Sequence, residues 1–151
     1  IKEHGKQLKQ NNQKDEAIKL FKKAADKDLL IGHRKYAKYI LNNYQNINDN
    51  YLALKYFKRA AEIGEVKDYY KYASFLYRFF HNIFKVECAN YFKKAADENY
   101  AKAFFYYAEC LKNGYGVEKN CKEAGKYFEL SFKKDPNSPV KQRHKQLQNN
   151  H

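Results

Sequence analysis

The chain has 151 residues, about one domain's worth, of which 44% are hydrophobic, 31% charged and 17% aromatic. That composition can fill a core and argues against disorder, while two Pro and six Gly leave too few turn signals for a β-sandwich of many short strands. A mean hydropathy of −0.95 and the lack of any apolar run long enough for a bilayer exclude a membrane span, and the net charge of +13 makes RNA, an anionic membrane or an acidic protein surface an electrostatically reasonable partner.

In chain order, the sequence predicts helices of two alternating patterns. The first begins at Glu16 with EAIKLFKKAAD, where Ala17, Leu20, Phe21 and Ala24 fall at i, i+3, i+4 and i+7, one face of a helix. The second places His33, Tyr36, Ala37 and Ile40 at the same spacing, and Asn42-Asn43-Tyr44 then turns the chain, Asn being tolerated in a left-handed cap. LALKYFKRAAE from Leu52 repeats the first pattern, and Tyr69, Tyr72, Ala73 and Leu76 repeat the second. Arg78-Phe79-Phe80-His81-Asn82 must turn without a glycine. ECANYFKKAAD from Glu87 and the set Phe104, Tyr107, Ala108 and Leu111 follow; Gly114-Tyr115-Gly116 then stops a helix, and Asn120 can cap EAGKYFELSFK from Glu123. Asp135-Pro136-Asn137-Ser138-Pro139 ends that helix and starts another over 137–150, whose polar character suits a solenoid's capping helix.

The four copies of the first pattern carry Phe21, Phe57, Phe92 and Phe128, spaced 36, 35 and 36 residues apart. A helix pair cannot bury its apolar stripe alone, whereas stacked pairs bury a continuous core. The predicted fold is therefore all-α, a solenoid of antiparallel helix pairs, with a first pair over 1–27, repeats over 28–63, 64–98 and 99–134, and the capping helix, all in one domain.

The string from Tyr100 to Ser131 resembles the Sel-one-like repeat (SLR), a relative of the tetratricopeptide repeat. The matching features are Ala108 at the helix crossing, Gly114-x-Gly116-Val117 in the loop, Ala124 with Tyr127-Phe128, and the endings Lys23-Ala24-Ala25, Arg59-Ala60-Ala61 and Lys94-Ala95-Ala96 in the preceding units. The resemblance covers about residues 1 to 134; the units from Gly32 and Asp68 depart from it by lacking the loop glycines. It implies a right-handed superhelix whose first helices line a concave face, and a role in bringing other proteins into complexes.

Catalytic chemistry finds no footing in the sequence. The five His show no metal-ligand spacing, and His33 sits where Tyr69 and Phe104 sit in sister units, so it reads as a packing residue. Cys88 takes the slot of Ala17, Ala53 and Ala124 as a small core filler, Cys110 and Cys121 lack a neighbouring His, and an odd count of three Cys without CxxC fits a reducing, cytoplasmic setting. Gly114-x-Gly116 lacks the Lys and preceding strand of a phosphate loop, Thr is absent, and Ser occurs three times. The expectation is a non-enzyme without cofactor or metal. The chain also has no Met and opens at Ile1 without a signal-like apolar segment, so a translated product beginning upstream is expected.

Function is then expected on the surface. On the concave face implied by the resemblance, residues about 100° from the core stripe are Arg34, Lys38 and Leu41; Tyr70, Ser74 and Tyr77; Phe105, Glu109 and Lys112, with Arg78, Asn42 and Asn113 flanking and Lys6 and Lys9 added by the first unit. Six bases, one acid and three aromatics suit an extended acidic or aromatic-bearing protein segment; Arg34, Lys38, Tyr70, Tyr77, Arg78, Phe105 and Lys112 are the candidate partner-binding residues. A second basic stripe on the outer helices (Lys19, Lys22, Lys23; Lys55, Lys58, Arg59; Lys93, Lys94; Lys126) offers an alternative, binding of RNA or an acidic filament surface, though lysines near helix C-termini also simply oppose the helix dipole. A structural component of a large assembly is the other alternative.

Overall fold

The computed structural model describes residues 2–43 and 46–137. Within them lie seven helices and no strand: α1 (Lys2–Asp26), α2 (Leu30–Asn43), α3 (Ile47–Ile63), α4 (Val66–Phe79), α5 (Lys85–Asp97), α6 (Ala101–Asn113) and α7 (Cys121–Lys134). No helix among the described residues is long and apolar enough to cross a membrane. The capping helix expected over 137–150 falls, beyond Asn137, outside the described residues. The chain divides into two compact units, residues 1–64 and 65–151. Each has its own buried set: Ala37, Ile40, Ala53 and Tyr56 in the first, Tyr72, Leu76, Cys88, Phe92 and Leu111 in the second.

In the first unit the pair expected over 1–27 is a single 25-residue helix, α1. Gln7 to Glu16 contains neither Gly nor Pro, so nothing in that stretch breaks the helix. α1 ends in a Schellman motif: Leu29 N–H donates to the Ala24 carbonyl (3.0 Å) and Asp28 N–H to that of Ala25 (2.9 Å), with Asp28 left-handed at φ 58°. α2 then returns so close to α1 that a Cβ on Gly32 would collide with the Ala25 nitrogen and lie 2.5 Å from the Ala24 carbonyl carbon. Leu20, expected in the core stripe, is 63% exposed, and Ala17 and Phe21 are half-buried. α2 packs on α1, but it does not cover the face that Leu20 shares.

The same ring contact recurs in each helix pair. Tyr56 of α3 meets Tyr36 of α2 edge-on at 4.8 Å, Tyr91 of α5 meets Tyr72 of α4 at 5.0 Å, and Tyr127 of α7 meets Tyr107 of α6 at 4.9 Å. Such pairs contribute about 0.5–1.5 kcal/mol each beyond their buried area, which explains the aromatic preceding Phe57, Phe92 and Phe128. Phe92 is wholly buried, Phe128 nearly so, and Phe57 half-buried.

The corners of the second unit are built differently from one another. The glycine-free turn after α4 buries Phe80 against Phe75 (5.7 Å) and Phe84 (5.6 Å), replacing backbone freedom by an aromatic plug. α5 ends in a second Schellman motif with Asn99 left-handed at φ 66°. After α6, Gly114 (φ 66°) caps the helix and Gly116 (φ 67°) passes so near the start of α5 that a Cβ there would collide with the Lys85 carbonyl. Asn46 and Asn120 cap α3 and α7, their Oδ1 atoms accepting from Asp49 N–H (2.9 Å) and Glu123 N–H (3.0 Å).

Candidate functional site

On α4, Tyr70, Ser74 and Tyr77 stand at i, i+4 and i+7 and so share one line along the helix. α6 sends Tyr106 toward this line, its ring stacked on Phe92 of α5 at 5.2 Å and 11°. Tyr70 lies 6.0 Å from Tyr106 and 5.1 Å from Tyr100, and Tyr77 lies 6.1 Å from Tyr106. Both loops complete the cluster: His81 meets Tyr77 edge-on at 4.7 Å, and Tyr115 stacks on His81 at 4.7 Å while its hydroxyl donates to the His81 carbonyl. Tyr70, Tyr77, Tyr106 and Tyr115 are all half-buried, so each ring is held from below and keeps a solvent side. Burial pushes the Tyr70 and Tyr77 hydroxyls above their ordinary pKa, which keeps them neutral donors and acceptors at physiological pH.

The sequence candidates of this unit are only partly brought together. Tyr70 and Tyr77 belong to the cluster. Arg78 is exposed one step around the helix, its guanidinium 4.9 Å from the Phe79 ring, and Lys112 is half-buried near the end of α6. Phe105 is a correction: it is 8% exposed and packs on Phe128 of α7 at 5.6 Å, so it is a core side chain and offers no docking surface. Tyr106, the next residue, holds the position that Phe105 was expected to hold. Phe104 and Phe105 are both buried, because α7 packs against α6 and covers Phe105 as well as the expected stripe.

In the first unit Arg34 is half-buried on α2, while Lys38 is exposed and lines an open cleft of about 710 Å³ between α1 and α2. His33 is buried, as a packing residue should be, but its Nε2 also lies 2.8 Å from Asp28 Oδ1. Arg59, read from sequence as a cation of the outer stripe, is engaged: it donates to both Asp28 oxygens, Nε at 2.8 Å and Nη2 at 2.5 Å, and to Glu62 at 3.2 Å. Its hydrogen bonds, with those of His33, hold the Asp28 carboxyl well below the usual carboxylate range. Elsewhere in the stripe Lys19 pairs with Glu16 at 3.7 Å, and Lys55 and Lys94 lie over Tyr56 and Tyr91 at 5.5 and 4.8 Å.

Among the described residues no group of three or more His, Cys, Asp or Glu could hold a metal ion. The Cys88 thiol is buried and lies 3.3 Å from the Ala73 carbonyl, and burial raises its pKa; Cys110 is pushed up to about 12 for the same reason. These are packing thiols with little nucleophilic character.

The sequence matches the family described as Sel1 repeat over residues 1–29, 47–65, 85–100, 97–109 and 101–136. Among solved structures, a Sel1 repeat protein from Oxalobacter formigenes superposes with a TM-score of 0.62 at 21% identity, covering 78% of this chain and 49% of that one. A protective antigen of uropathogenic Escherichia coli strains, displaying an SLR fold, gives a TM-score of 0.62 at 19% identity over 76% of this chain and 25% of that one. The chain thus spans about half the length of the first structure and a quarter of the second. No curated protein matches it.

Proposed function

The chain belongs to the Sel1 repeat family, whose members are generally protein-interaction scaffolds, and from that premise we propose that it is a non-catalytic scaffold that binds an acidic or aromatic-bearing segment of a partner protein. The observation that carries this reading is the aromatic face of the second unit. Tyr70, Tyr77 and Tyr106 are fixed on Phe92 and one another before any partner arrives, so little conformational freedom remains to be lost on docking. Arg78 and Lys112 supply charge beside these rings for acidic side chains of the segment, and the same reading assigns Arg34 and Lys38 to partner contacts in the first unit. The engagement of Arg59 with Asp28 and Glu62 favours this reading over a polyanion tracked by the outer stripe.

The test is affinity capture with cross-linking, followed by affinity measurement on the captured partner. Truncation of buried aromatic and Arg anchors costs about 2 kcal/mol or more each. Tyr77→Ala combined with Arg78→Ala should therefore weaken binding by well over tenfold, with melting followed in parallel, whereas Lys126→Ala should leave it unchanged. Loss in the Lys126 variant with full affinity in the double variant would overturn the reading.

A further inference from the structure

We propose that the cleft between α1 and α2 is a binding site for an acidic peptide segment with one aromatic anchor, a proposal that rests on the scaffold reading and names a site and ligand chemistry for the first unit. The floor of the cleft is Ile18, Phe21 and Tyr39, and its rim carries Lys14, Lys35 and Lys38 against one carboxylate, Asp15. All three lysines are exposed, and among the described residues no ion pair holds any of them. The volume, about 710 Å³, lies in the range of about 300–1,000 Å³ that accommodates compact ligands.

The repeat itself shows what such a cleft accepts. Phe21 corresponds to Phe92, and Lys35 to Tyr106, each pair being 71 residues apart in the same register. In the second unit Phe92 is wholly buried beneath aromatic rings: Tyr106 stacks on it at 5.2 Å, and Tyr70 and Tyr77 of α4 lie 6.1 and 6.3 Å away. In the first unit the position of Tyr106 is a lysine, and Phe21 stays half-buried at the bottom of an open cleft. An aromatic side chain from a partner would restore the ring contact that Tyr106 makes on Phe92. Acidic residues flanking that ring would meet Lys14 from α1 and Lys35 and Lys38 from α2, so the charge favours an acidic over a basic peptide.

The probe is a fluorescein-labelled peptide, Asp-Glu-Phe-Glu-Asp, read by anisotropy on the full chain, beside versions with Ala for Phe and with Lys for the acids. Wild type should bind the first and lose at least tenfold on either control. Lys14→Glu with Lys38→Glu reverses exposed charges and should abolish binding. Lys35→Tyr installs the ring found at Tyr106 and should block the cleft, while Lys35→Ala should weaken binding less. Lys126→Ala, outside both aromatic faces, should leave this peptide's affinity unchanged. Loss on Tyr77→Ala with Arg78→Ala, with retention in the first-unit variants, would overturn the proposal and place peptide binding in the second unit, leaving the scaffold reading intact. No binding by wild type would overturn it too.

Discussion

At position 28 one side chain meets two requirements: a left-handed backbone at the end of α1 and a carboxylate for His33 and Arg59. Asn satisfies the first, as Asn99 does at the equivalent corner after α5, but cannot carry the charge. Asp28→Asn therefore isolates the ionic part. The native carboxyl is held below its unfolded value, chiefly by the Arg59 hydrogen bonds and then by His33, so its contribution is present above the unfolded pKa of about 3.9 and is lost as pH falls toward the lower native value. Thermal melts should show the variant less stable at pH 7, with the gap to wild type closing below about pH 4; a gap independent of pH would mean that the ion pair is not its cause. The thiols give a second residue-scale expectation. With Cys88 and Cys110 buried and their pKa raised, a thiol reagent at pH 8 should label Cys121 alone in the native chain and all three after denaturation. Rapid native labelling of two or three thiols would contradict the packing described. Neither the Asp28–Arg59 pair nor the burial of Phe105 was legible in the sequence, because each depends on a partner from another helix: Arg59 is 31 residues from Asp28, and Phe128 of α7 decides that Phe105 turns inward.

At the scale of the elements, the helices were legible because their spacing is a local property; the i, i+3, i+4, i+7 stripes lie on α2 through α7 as read. The single long α1 was not, since the repeat register calls for a turn that its residues do not encode. Glycine substitutions rank the corners. Gly116→Ala combines a positive φ with a collision against the Lys85 carbonyl and should cost more than the roughly 1–2 kcal/mol of left-handed strain alone, whereas Gly114→Ala, with its nearest neighbour at 3.4 Å, should cost about that strain. Gly125→Ala, within α7 and with nothing within 4 Å, should stabilise by up to about 1 kcal/mol through helix propensity. Calorimetric melts of the three give the order directly, and equal losses at 114 and 116 would count against the close approach.

For the whole molecule, a net charge of +13 guarantees some attraction to any polyanion, so the informative quantity is how binding responds to salt and to particular lysines. Wild type and a Lys22→Glu, Lys93→Glu, Lys126→Glu variant, which spares Arg59 and its partners, should bind a labelled RNA weakly and alike at low salt and lose it together near physiological ionic strength. A steep salt slope for wild type that flattens in the variant would revive the outer stripe as a site. The division into two units, between residues 64 and 65, falls one residue from the repeat boundary read between 63 and 64, and within each unit side chains of facing helices interlock. In the second unit that interlocking reaches past neighbouring helices. Tyr115 stacks on His81 and Gly116 abuts Lys85, so the corner after α6 is fastened to the corner after α4. Loops are where a protease ordinarily gains its first foothold, because they open without disturbing the rest of a chain. Here each corner holds the other, so a protease reaches either one only when the Tyr115–His81 stack and the Gly116–Lys85 approach come apart together.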